Sequence, residues 1–140
     1  MRYVIDTPYE IEEEVKYASV SQHRRYTNSN KSQWLISIAE ELSCFTLCYE
    51  KQWIDADCGW GVHLVNNRMQ ILGKNNVGDL YKIAKFVYGN QAGFWHGYPA
   101  DYRGKNQDRP SYVVLESWRE EGIIRKHQIR KIRSGMACNL

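Results

Sequence analysis

The sequence predicts an α+β domain: a small antiparallel sheet, including a hairpin over residues 61–72, covered by helices and followed by a C-terminal helical pair. Three observations predict it. "GVHLVNNRMQIL" sets two asparagines between segments of alternating character. Apolar residues recur at helical spacing behind capping residues in several other stretches. "RPSYVVLESWREEGIIRKHQIRKIRSG" carries two apolar stripes either side of Gly122.

Taken in order, "RYVID" alternates as a short strand. "TPYE" then reads as a helix start, with Thr7 as cap, Pro8 in the first turn and Glu10 reaching back. Ile11, Val15 and Ala18 form its apolar stripe, and Glu12–Glu14 suit the positive end of its dipole. Residues 19–31 are polar and read as a loop. A second helix is expected from Ser32 to Leu42, with Trp34, Leu35, Ile38 and Leu42 inward. "CFTLCYEKQW" alternates, which predicts a strand.

In the hairpin, Asn66 and Asn67 both tolerate the positive φ of a type I′ turn. That turn sets Val65 opposite Arg68, Leu64 opposite Met69, His63 opposite Gln70 and Val62 opposite Ile71, with Val62, Leu64, Met69 and Ile71 on an apolar face. A third helix is expected from Val77 to Tyr88, capped by Asn76, ended by Gly89 and burying Leu80, Ile83, Ala84 and Val87. "GFWHGYPADYRGKNQDRP" (93–110) reads as an irregular, aromatic-pinned segment. The final pair buries Val114, Leu115 and Trp118 on one helix and Ile129 and Ile132 on the other.

At 140 residues the chain is read as one domain spanning 1–140, able to bury a core without staples. A composition of 43% hydrophobic and 25% charged residues excludes wholesale disorder. Five Trp and ten Tyr exceed what such a core needs and point toward recognition. No run approaches the ~20 apolar residues of a membrane span. The N-terminus turns acidic where a signal peptide would be apolar, so a cytoplasmic protein with no membrane association is expected. Cys44, Cys48, Cys58 and Cys138 are then thiols.

Charge is segregated. Residues 1–16 hold two basic and five acidic side chains, whereas residues 103–133 hold nine basic and four acidic. The basic end suits nucleic acid or an acidic protein.

Four arrangements bear on chemistry. Cys44, Cys48, Cys58 and His63 have a spacing superficially like a zinc site, but a strand over 44–50 would hold the first two about 13 Å apart; no metal and no cofactor is expected. Cys58, His96 and Asp101 follow the order of a cysteine hydrolase, yet Asp55 and Asp57 flank the thiol and would raise its pKa. His96, Tyr98, Asp101, Arg103 and Arg109 form a set that suits a phosphate and its proton transfers, the set of a metal-independent ribonuclease. In the bland alternative, Trp95 and Tyr98 merely plug the segment onto the core. The C-terminal pair superficially matches a helix-turn-helix, but Trp118 and Gln128 fall where that motif needs a small and an aliphatic residue.

The balance favours a non-enzymatic accessory binding protein of bacteria or phage, of the immunity, antitoxin or anti-defence kind, with a protein partner. The binding surface joins Trp95, Tyr98, Tyr102, Arg103 and Arg109 to Arg125, Lys126, Arg130, Lys131 and Arg133. The alternative is a small nucleic-acid-binding protein or ribonuclease using His96 and nearby arginines.

Overall fold

A computed structural model describes residues 2–25, 30–89 and 93–140. It contains a mixed sheet with three helices and is of the α+β class. The first expected helix is instead a hairpin of β1 (Tyr9–Glu12) and β2 (Val15–Tyr17). Tyr9 and Ile11 face inward while Glu10 and Glu12 face out, and Val15 and Tyr17 continue the two-residue period. Glu14 takes a φ of 64° in the turn, and Glu10 lies opposite Lys16, a favourable cross-strand pair. The glutamates that suited a helix start therefore serve a turn and a solvated strand face. "RYVID" is not a strand; it ends in a turn with Asp6 at φ 58°.

The loop expected over 19–31 contains a short 3-10 turn, Ser21–His23, and its residues 26–29 lie outside the described residues. Gln33–Trp34 forms β3, and the second helix, α1, runs Ile38–Glu50. Ser37 Oγ accepts from Glu40 N at 3.1 Å, and Glu40 Oε1 accepts from Ser37 N at 2.9 Å, a reciprocal cap that fixes this start. Leu35, expected inward, is exposed. The expected strand over 44–50 is thus corrected to helix. Glu41, Leu42, Cys44, Phe45 and Cys48 form one buried face at three- and four-residue spacing, a pattern that outweighs the alternation of Phe45, Leu47 and Tyr49.

Next come β4 (Ile54–Asp55) and β5 (Cys58–Gly61). β6 (Leu64–Val65) and β7 (Arg68–Met69) form the expected hairpin, with Leu64 opposite Met69 and Val65 opposite Arg68, and φ of 52° and 61° at Asn66 and Asn67. Its apolar face is incomplete: Val62 is buried, but Ile71 is exposed. β8 (Gly73–Lys74) lies between β3 and β9 (Leu80–Tyr81) in a small second sheet.

The third expected helix is also corrected. Its residues form β9 and β10 (Ala84–Gly89), and the supposedly irregular stretch begins as β11 (Phe94–Pro99). These two strands pair antiparallel from Ala84–Pro99 to Gly89–Phe94. The main sheet runs β1-β2-β11-β10-β5-β4, with β2 and β11 its one parallel neighbour pair among the described residues.

α1 lies across one sheet face, where glycines make room. A Cβ on Gly59 would stand 2.9 Å from Cys48 Sγ, and one on Gly61 would stand 3.2 Å from the Cys44 carbonyl. Tyr17, Phe45, Phe86 and Trp95 pack ring against ring in this layer. The expected helical pair is present as α2 (Tyr112–Glu120) and α3 (Lys126–Arg133), with Gly122 at φ 77° between them and Val114, Leu115, Trp118, Ile129 and Ile132 buried. Among the described residues no helix is long and apolar enough to cross a membrane.

Candidate functional site

Alternation along β11 divides its side chains between two faces. Trp95 and Gly97 turn toward α1, while His96 and Tyr98 turn to the opposite face. On that face three cross-strand neighbours, Trp60, Lys85 and Tyr98, stand in one row. Each grips the 3-10 turn Asn106–Asp108: Trp60 Nε1 donates to the Asp108 carbonyl at 3.1 Å, Lys85 Nζ to the Gln107 carbonyl at 2.6 Å, and Tyr98 OH to Asp108 Oδ1 at 2.8 Å. Asp108 Oδ2 accepts from Asp101 N at 2.9 Å, so both oxygens of this buried carboxylate are engaged. Burial, followed by the Asp108 carboxylate, holds the Tyr98 phenol well above its ordinary pKa, so it stays protonated.

Beside this platform opens a cleft of about 410 Å³ bordered by His23, His96, Tyr98, Lys31, Lys105 and Asn76. That volume falls within the range of small-molecule sites. The His23 ring stacks on Tyr98 with centroids 5.1 Å apart and planes 20° apart. Its Nδ1 lies 2.8 Å from the Ser32 carbonyl, which can only accept a hydrogen bond and so places the neutral ring's N–H on Nδ1, leaving Nε2 as acceptor. Burial pushes its pKa down to about 4, with Lys31 and His96 contributing repulsion. Burial also lowers His96, whose Nδ1 is enclosed without a hydrogen-bond partner. Two uncharged imidazoles, a protonated phenol and two exposed lysines thus meet at one opening.

The other residues singled out from sequence divide into separate groups. Trp95 is 7% exposed and packs on Phe45 and Tyr88, so it presents no aromatic surface. Arg109 is committed internally: Nε donates to the Tyr102 carbonyl at 2.8 Å, Nη1 to Asn106 Oδ1 at 3.1 Å and to the Arg133 carbonyl at 3.4 Å. Arg133 returns the tie by donating to the Pro110 carbonyl at 3.1 Å. Tyr102 OH donates to the Met136 carbonyl at 3.1 Å, while Asp101 Oδ1 accepts from Gly104 N at 3.0 Å. Arg103, Arg125, Lys126 and Arg130 are exposed and Lys131 is half-buried; none has an ion-pair partner among the described residues.

Cys58 and His96 both lie opposite Val87, one on each side of β10. Two strand spacings, about 10 Å, separate their backbones, so no thiol–imidazole pair forms. The helical turn over 44–50 does bring Cys44 and Cys48 to one face. There they are buried, with pKa values pushed up to about 12, and among the described residues no three His, Cys, Asp or Glu side chains gather as a metal site.

Sequence reasoning missed His23, Lys85 and Asp108. Each becomes part of the site only through contacts across 10 to 75 residues of chain, and no local signal marks them. No protein-family model matches the chain, and neither a curated protein nor a solved structure matches it significantly.

Proposed function

We propose that the chain is a nucleic-acid-binding protein whose recognition site is the His23–His96 cleft. The observation that carries this reading is the neutral imidazole pair above Tyr98 with Lys31 and Lys105 at the rim. Uncharged imidazoles offer hydrogen bonds to bases and ribose hydroxyls, and the lysines offer charge to phosphates. Cleavage of the strand would require a general acid as well as a base. Both imidazoles are held below their ordinary pKa, and Tyr98 is committed to Asp108, so binding without turnover is the better fit.

The test is a titration with mixed RNA and DNA oligonucleotides at low and moderate salt, with the products examined on a gel. Binding should weaken steeply with salt, fall in Lys31→Gln/Lys105→Gln, and leave the oligonucleotides intact. Absence of binding at low salt overturns the reading. Cleavage that disappears in His96→Ala would replace it with a ribonuclease.

A second reading, a protein partner of the immunity, antitoxin or anti-defence kind, has one observation in its favour. Tyr112 and Val113 are 59% and 67% exposed, next in the chain to the Pro110 segment that Arg133 grips. Exposed apolar side chains beside arginines suit a protein interface. That surface lies on the α2–α3 pair, with Trp95 playing no part.

A further inference from the structure

The histidine cleft adjoins two further hollows. Tyr81 and Asp101 border both the cleft and a larger hollow of about 680 Å³, in which β9 faces residues of the 135–140 tail. Lys82, Asn139 and Leu140 in turn border both that hollow and a third, of about 580 Å³, between the Asn66–Asn67 turn and the start of α3. The three hollows thus adjoin one another in series, from β11 past β9 to α3.

Aspartates border the first two sections, and no aspartate or glutamate borders the third. The cleft has two aspartates, Asp108 among them fully engaged. The middle section has Asp79, held by Asn75 Nδ2 at 2.9 Å, and Asp101, against Lys82 and Arg103. The far section is bordered by Arg68, Lys82 and Arg125, with no aspartate or glutamate. Tyr81 and Tyr102 line the middle, where bases stack in grooves that follow a strand. Lys82 already donates to the Leu140 main-chain oxygen at 2.9 Å, a tie at the border of the middle and far sections.

We propose that these hollows form a groove, the path of a single-stranded nucleic acid that continues out of the cleft, with Arg68 and Arg125 holding its backbone phosphates at the far end. This rests on the nucleic-acid reading of the cleft and extends it. Aromatic walls and uncommitted arginines favour a nucleic-acid strand over an acidic peptide, which would use the charge but leave the tyrosine faces idle.

The experiment compares a trinucleotide with a strand of about twelve nucleotides, a length typical of such sites. Binding to the full chain and to Arg68→Gln/Arg125→Gln is followed through the His23 and His96 imidazole NMR signals and by fluorescence anisotropy across salt. Both arginine side chains are exposed at the surface, and matching melting curves establish that the variant is folded. The expected result is unchanged trinucleotide binding, together with a drop of about 1.4 in the long strand's salt slope, two phosphate contacts at about 0.7 each. An unchanged slope for the long strand overturns the groove and leaves the cleft reading standing. Binding of neither oligonucleotide overturns both. Poly-glutamate that competes equally with the long strand would assign the groove to an acidic peptide instead.

Discussion

Arg24→Met should strongly destabilise this protein, because the half-buried Arg24 neutralises the Glu41 carboxylate sealed in the core. Glu41 is fully buried on α1 and accepts from Tyr17 OH at 2.5 Å, Ser19 Oγ at 2.6 Å and Arg24 Nη2 at 2.8 Å. Methionine keeps the aliphatic stem near Trp34, over which the guanidinium sits at 5.8 Å, and removes the charge. Stranding a buried charge costs about 3–5 kcal/mol. With about 2.1 cal/mol/K of unfolding entropy per residue over 140 residues, Tm should fall by about 10–17 °C. Thermal unfolding followed by far-UV circular dichroism reads this directly.

Two further features distinguish a stranded charge from a lost contact. Burial already raises the Glu41 pKa, and removing Arg24 takes away a lowering influence. A carboxyl whose folded pKa is raised contributes fully below its unfolded pKa and loses that contribution as pH rises through the folded value. The deficit of the variant should therefore shrink as pH falls into the carboxyl range. Moreover, Arg24→Met/Glu41→Gln should melt above Arg24→Met, since no charge then remains buried. A deficit that is constant with pH, and a double variant no better than the single, would refute the account.

Gly97→Ala should lower Tm, since its Cβ would meet the Phe86 ring and the Lys85 carbonyl of β10 in the middle of the longest strand pair; overpacking of this kind costs about 1–3 kcal/mol, and wild-type melting would show that the Phe86 ring gives way without cost. His23 should remain neutral until pH approaches about 4, against an ordinary 6.5. A depressed folded pKa contributes stability above the unfolded value that is lost as pH falls through the folded one, so His23→Gln should flatten the acid limb of the stability curve between those values. Imidazole NMR titration checks the first statement and denaturation across pH the second.

What could be read in the sequence was set by how local each structure's cause is. The Asn66-Asn67 turn dictates its own register, and it is found as expected. The Gly122 hinge and the stripes of the C-terminal pair are local in the same sense. The misread elements were decided by tertiary partners. Tyr9 to Tyr17 offers both a helical and a two-residue period, and the parallel seat beside Trp95 on β11 selects the strand. The run 44–50 alternates, yet glycines 59 and 61, a dozen residues on, provide the flat surface that a helix needs. The site was half legible: His96 and Tyr98 stood out, while His23 and Asp108 acquire meaning only once β11 is placed beside them.

β11 therefore explains both the fold and the site. Its even alternation sends Trp95 against Phe45 of α1 and the bare Gly97 beneath the Phe86 ring, where stability is made, and sends His96 and Tyr98 to the face gripped by the 106–108 turn. Trp60 and Lys85 on the neighbouring strands reinforce that grip, and the 5.9 Å approach of Lys85 Nζ to the Trp60 ring compensates its near-complete burial. A lysine, a tryptophan and an aspartate held in this way fix the loop from Asp101 to Asp108, and with it the wall of the cleft. Such rigidity is what a recognition site requires, since a wall already ordered loses little entropy when a ligand arrives. The same commitment argues against Arg109 as a ligand group: its guanidinium closes the seam between this loop and α3, under a Gly135 whose Cβ would collide with it at 2.2 Å. The arginines left to meet a partner are those along the groove and on the outer face of α3.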